Sequence, residues 1–338
     1  MTLQAQDTIR IRDSLNASFI AAAGNQLLVQ GNQSVDIFAL NHPDSGLFAG
    51  SDLVLRSANP VSGDAHYWSG GNFRIEQLDG SPGDLFSPYD PIIRASGDVT
   101  FSSYTGPSLK ILAGGSVTVL GDITITDPDP INGLQETVTL SNGSSLAIDG
   151  RLHPTLDIRA GATAFASPLG LTGIPSPTSL GFPSISPTSA DIQIGGRIVA
   201  PSVTSPSLVF LSNQHQPNPT LNGDITVGRI ETSSASTNGG SVIFDSKDSI
   251  FANGISKTPT IQLSSATSKG GNLTFLARND IHLNSTRIDS NGVLSSGSVT
   301  LTSGGKILGN DMTIRSVTAG PGIGGDIKLT AQSILLTN

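Results

Sequence analysis

The chain has 338 residues, a formal net charge of −8 and no cysteine, with only 13% charged and 5% aromatic residues. The acidic balance argues against phosphate-backbone binding, and the lack of any apolar run of about 18 residues argues against a membrane-spanning helix. Without cysteine there is no disulfide scaffold.

The charge is unevenly spread. From residue 239 onward there are 8 Lys/Arg and 6 Asp, while the preceding residues carry 10 Lys/Arg and 20 Asp/Glu. The 39 glycines and 20 prolines separate short alternating runs of Val, Ile and Leu. Disordered chains lack that alternation. The opening TLQAQDTIRIRDS has neither a basic stretch nor an apolar core of the kind a signal peptide needs. It reads as the inside of a solenoid, as a fragment would begin.

In chain order, strands are predicted at Ile9–Ile11, Leu27–Val29, Val35–Phe38 and Leu53–Leu55, with turns at Gly24-Asn25 and Gly31-Asn32. An irregular loop is expected over 41–50, and Asn16 to Ala23 is the best short helix candidate. Residues 60–107 hold all three tyrosines and the one tryptophan, and read as a decorated coil with a long loop. Over 108–166 the pattern returns, with Val138–Leu140, Leu146–Ile148 and Leu156–Ile158 as strands and a turn from Asp127 to Gly133. The Pro/Ser-rich stretch 167–190 cannot be a central strand and is expected to be an inserted loop. Regular coils are expected over 191–338, with strands at Ile192–Ile194, Leu208–Leu211 and Ile225–Val227.

The clearest repeat lies at the end of the chain: GGSVIFDSKDSI (239–250), GGNLTFLARNDI (270–281), SGSVTLTSGGKI (296–307) and GGDIKLTAQSIL (324–335). Its first apolar positions, Val242, Leu273, Val299 and Ile327, are separated by 31, 26 and 28 residues. Such a period leaves no room for a crossover helix and signals a stacked array. The predicted fold is an all-β parallel β-helix of one domain, roughly ten to twelve coils long, with these four residues in one buried column. Gly114-Gly115-Ser116-Val117 matches the Gly-Gly-Ser-Val at 239–242 and is expected to play the same part.

The blocks IIRASGDVTF, LKILAGGSVTVLGDITI, RLHPTLDIRAGA and GGSVIFDSKDSI/GGNLTFLARNDI resemble the filamentous-haemagglutinin-like exoproteins of cyanobacteria, over roughly residues 50–338. The resemblance implies a right-handed parallel β-helix, export by two-partner secretion through an outer-membrane transporter, and a place on the cell surface or outside it. The secretion domains of that family carry NPNL- and NPNG-type motifs. Here only Asn59-Pro60 and Asn218-Pro219 occur, neither motif complete. That implies the passenger body, with transporter recognition in a domain not present in this chain.

Three features are candidate sites. Tyr67, Trp68 and Tyr89 are amphipathic rings that can stack on sugars, with Asp64, Asp79, Asp84 and Asp90 to accept hydroxyl hydrogen bonds. The structural alternative, which is the favoured one, is that these rings staple an irregular loop to the stack. Asp122, Asp127 and Asp129 within GDITITDPDP can hold Ca²⁺ or act as a catalytic pair, but Asp beside Pro is far more often a turn former. The single GPGIGGDIK (320–328) is too isolated for a Ca²⁺-binding repeat. His42, His66, His153, His215 and His282 show no metal-ligand spacing, so no metal, and likewise no cofactor, is expected. The reading is a non-catalytic rod of an exported protein with an adhesive surface for a glycan or protein, without nucleic acid or membrane insertion. The rival readings are a polysaccharide lyase or hydrolase and an inert spacer.

Overall fold

The computed structural model describes residues 1–163, 186–254 and 260–337. These residues contain no helix. Almost every strand joins one of three parallel sheets, and the chain visits them in fixed order. Sheet I has twelve strands, from Thr2–Ala5 to Ser333–Thr337. Sheet II runs from Thr8–Arg12 to Thr313–Arg315 and sheet III from Ile20–Ala23 to Ile327–Thr330. Each coil contributes one strand to I, then II, then III, and the next coil stacks on it in register. The fold is a parallel β-helix. The long strand Val61–Ser69 turns the corner between sheets II and III and belongs to both.

Alternation along each strand sends every second side chain inward, where it meets its equivalents above and below. One interior file of sheet III is Tyr67, Ile93, Ile111 and Ile158, all fully buried. Six positions further along come the inward residues of sheet I: Tyr67 is followed by Phe73, Ile93 by Val99, Ile111 by Val117, Phe275 by Ile281. Burying each such side chain is worth roughly 1.5–3 kcal/mol. This six-residue corner, kept on most coils and lengthened after Ile158 and Leu211, is what the repeats record.

At the same corner a ladder of polar side chains satisfies the turn. Asp52 Oδ1 accepts the backbone N–H of Asn72 at 2.9 Å, Asn72 Oδ1 that of Asp98 at 2.8 Å, and Asp98 Oδ1 that of Ser116 at 2.8 Å. The ladder continues through Asp191, Asp224, Ser249 and Asp280 to the N–H of Lys306. A short acceptor side chain is therefore needed just before the sheet I strand on nearly every coil. At the corner leading into sheet III the requirement is for no side chain. A Cβ on Gly271 would overlap the carbonyl of Gly240, and one on Gly297 the carbonyl of Gly271.

Val242, Leu273, Val299 and Ile327 form the expected column in successive register. Three of them are fully buried, but Ile327 is 47% exposed because no further coil covers its strand. Other expectations need correction. Asn16 to Ala23 holds no helix; Ile20–Ala23 is a sheet III strand. The loop expected at 41–50 contains the strand Gly46–Ala49. Gly114 to Val117 is not equivalent to 239–242, since Val117 belongs to sheet I and Val242 to sheet III. The runs at 138–140 and 146–148 lie outside the coils, in an antiparallel hairpin, Gln135–Thr139 with Ser145–Asp149. The inserted loop expected at 167–190 falls, as far as residue 185, outside the described residues.

Candidate ligand-binding face

The hairpin lies on the outer face of sheet III. Val138, Leu140 and Ile148 pack on Leu208, Phe210 and Leu276 of the stack. Glu136 reaches down to an ion cluster: Arg159 donates to both its oxygens at 3.0 and 2.9 Å, and Lys110 pairs with it as well. Asp157 lies between the two cations, 2.8 Å from Arg159 and 3.3 Å from Lys110. Burial alone would raise Glu136, but Arg159 and Lys110 hold its carboxyl at about 2. Asp157 is likewise held low against its burial. The cluster anchors the hairpin and is closed to ligands: Arg159 is only 1% exposed.

The sequence-predicted site residues gather at the corner between sheets II and III, but most point inward. Tyr67 is fully buried in the interior file with its ring 5.2 Å from Phe73. Trp68, on the opposite side of the strand, is 6% exposed and lies beneath the Arg94 guanidinium, 5.7 Å from its ring. Tyr89 is half-buried against Phe38, ring centroids 5.0 Å apart. Asp90 is buried, and its N–H donates to Asp129 Oδ2 at 3.1 Å. No sugar-stacking platform of Tyr67, Trp68, Tyr89 and Asp90 exists, because strand alternation and the corner loop turn Tyr67, Trp68 and Asp90 away from solvent.

What those residues build is a buried acidic corner. Asp64 accepts from the Ser87 hydroxyl and from the Tyr89 N–H at 3.0 Å, and Asp129 accepts from the N–H groups of Ile131 and Asn132 at 3.0 Å. Asp64 Oδ2 and Asp90 Oδ1 have no partner. Burial pushes Asp64 up to about 7 against its two hydrogen bonds, and burial followed by the nearby Asp129 pushes Asp90 well above the carboxylate range. Asp129 thus acts as a turn former, and Asp127 is exposed. Among the described residues no His, Cys, Asp or Glu group is arranged to hold a metal ion.

The accessible face of this region is sheet II. Its strands are so short that each coil shows one central side chain outward. On successive coils these are Ser62, Phe86, Thr105 and Thr124. A parallel file before the strands carries Asp84, Ser103 and Asp122. All of these but Ser62, together with Pro60 and Leu85, line a shallow groove of about 620 Å³. Phe86 is 45% exposed. Asp122 is tied to Arg197, whose Nε and Nη2 donate to Oδ2 at 3.1 and 2.8 Å, and this hydrogen bonding holds its carboxyl low. The ring and carboxylate expected of a binding site are therefore Phe86 and Asp84: the carboxylate is one that the sequence marked, and the ring is not. No sequence signal separates Phe86 from the buried Tyr104 and Trp68, because its exposure depends on what lies over its strand.

No family model, curated protein or solved structure matches the chain.

Proposed function

We propose that this chain is a rod-like passenger segment of an exported surface protein, and that the groove on sheet II is its adhesive face. The observation that carries the reading is Phe86, a large apolar ring left exposed between hydroxyl-bearing neighbours and the Asp84 carboxylate. An aromatic ring set in a groove among polar groups offers a partner a large apolar contact flanked by hydrogen-bonding groups. A rigid stack supports such a face well, since the strands that carry Leu85, Phe86, Thr105 and Thr124 are paired on both sides. The fold and the repeat blocks that resemble filamentous-haemagglutinin-like exoproteins support export through an outer-membrane transporter by way of a domain outside this chain. The groove carboxylates support binding rather than catalysis: Asp122 is engaged by Arg197, and the carboxyls that retain protons, Asp64 and Asp90, are buried.

The test is retention of the purified protein on a broad immobilised glycan panel, with new chain ends assayed in parallel. Retention without cleavage supports the adhesive face. New chain ends would instead establish a polysaccharide-active enzyme.

A further inference from the structure

Resting on the adhesive reading, we infer that the sheet II groove takes a linear, uncharged glycan of equatorially linked sugars, lying along the stack axis with about one sugar per coil. The direction follows from the lining. Pro60, Asp84, Ser103 and Asp122 come from four consecutive coils in one file, and Phe86, Thr105 and Thr124 form a second file beside it, so the groove runs along the stack. Coils rise by roughly 4.8 Å. An extended chain of equatorially linked pyranoses advances by a similar distance per ring, so each sugar meets an equivalent set of side chains.

The chemistry follows from what each coil presents. Ser103, Thr105 and Thr124 offer hydroxyls that both donate and accept, as sugar hydroxyls require. Phe86 offers an apolar ring to the axial C–H face of a pyranose. An extended peptide is a poorer fit. It would bind by adding to a sheet edge, yet the strands beneath the groove are paired on both sides and have no edge to offer.

Charge sets the remaining choice. Asp84 has no ion-pair partner among the described residues, and Asp122 is already neutralised by Arg197. The groove therefore carries net negative charge, within a stretch that is itself acidic. Uronic-acid and sulfated polymers are repelled and neutral ones are not.

The experiment is titration calorimetry of the purified chain with the hexamers and dimers of β-1,4-linked glucose, xylose and mannose, and with β-1,4-linked hexamannuronate, an anionic chain that is also equatorially linked. The proteins are the wild type, Phe86→Ala and Asp84→Lys, with a glycan array run alongside. Both substitutions sit at the surface, and unchanged melting confirms their folds. We expect at least one neutral hexamer to bind about tenfold or more tighter than its dimer and than hexamannuronate. Phe86→Ala should lose about tenfold, and Asp84→Lys should strengthen hexamannuronate binding. Equal binding of dimer and hexamer, a preference for hexamannuronate, or an unaltered Phe86→Ala would overturn the inference. Array binding confined to branched or anionic glycans would overturn it too while leaving the adhesive reading standing. No binding to any array glycan would remove both.

Discussion

Arg159 grips both carboxylate oxygens of Glu136, at 3.0 and 2.9 Å, and so joins a hairpin outside the coils to sheet III. Glu136 also neutralises Lys110, leaving the buried cluster with two cations and two carboxylates. Glu136→Ala leaves Arg159 and Lys110 sharing Asp157 alone. Breaking a buried ion pair from one side costs about 3 kcal/mol or more. The expected outcome is a lower denaturation midpoint, with hydrogen exchange rising first in Gln135–Asp149 and in the sheet III strand that carries Arg159. An unchanged midpoint with an unchanged exchange pattern would show that the apolar contacts of Val138, Leu140 and Ile148 hold the hairpin unaided.

The acidic corner makes stability depend on pH with a definite sign. Asp64 is raised in the folded chain to about 7 from an ordinary 3.8. Between those values the folded chain keeps a proton that the unfolded chain has released. Stability from this group is complete below about pH 4 and is lost as pH rises through 7. Asp90 acts in the same direction. His66 acts oppositely in the same window: burial, then Arg94, lower it to about 4, so protonation favours the unfolded chain below pH 6.5. Comparison with Asp64→Asn separates these effects, since His66 is common to both proteins. The amide oxygen can still accept from Ser87 and Tyr89, and the residue no longer titrates. The difference in stability between the two proteins should move in the variant's favour by on the order of 4 kcal/mol between pH 4 and 8. A pH-independent difference in urea midpoint between the two proteins from pH 4 to 8 would refute proton retention by Asp64.

Close approach of coils, rather than backbone conformation, explains the glycine pairs of the repeat. A methyl group on Gly271 would overlap the carbonyl of Gly240, while one on Gly24 would meet nothing within 4 Å. Gly271→Ala should therefore destabilise by about 1–3 kcal/mol, because the paired coils above and below cannot move apart locally. Gly24→Ala should be neutral or stabilise by up to about 1 kcal/mol through the unfolded chain. Thermal melts of the two variants check the contrast, and equal shifts would exclude close packing as the cause.

Much of the fold was legible because the corner between sheets III and I is short and of one length on most coils, the exceptions following Thr155–Arg159 and Leu208–Ser212. An inward residue recurs six positions after the last, as from Phe275 to Ile281 and from Leu301 to Ile307, and on most coils a short polar acceptor such as Asp280 sits just before it. The corners between the other sheets vary in length, so strands there, such as Gly46–Ala49, were hidden. The hairpin was hidden for another reason. Val138, Leu140, Leu146 and Ile148 alternate as coil strands do, and only Asn142-Gly143 between them, with Gly143 at φ 83°, betrays a tight antiparallel turn. The site residues failed on parity. Alternation shows that Tyr67 and Trp68 face opposite ways, but in this region both sides are covered: one by the interior, the other by packing over sheet III. Phe86 stands where its short strand has nothing laid over it, and cover is a property of distant residues.

The polar ladder gives a prediction that separates hydrogen bonding from charge. Asp98 Oδ1 accepts the N–H of Ser116 at 2.8 Å, while its own N–H donates to Asn72 Oδ1 at 2.8 Å. Only the acceptor oxygen matters to the neighbouring coil, so Asp98→Asn should leave stability nearly unchanged. Asp98→Ala removes the acceptor and should cost about 1 kcal/mol, limited by water reaching this exposed corner. Asp224→Ala, far along the stack, strips the acceptor from the N–H of Ser249 at 2.9 Å. Its cost should add to that of Asp98→Ala in the double variant, because the two rungs share no partner. If Asp98→Asn lost as much as Asp98→Ala, this rung would be acting through the charge of the Asp98 carboxylate and not through its acceptor oxygen.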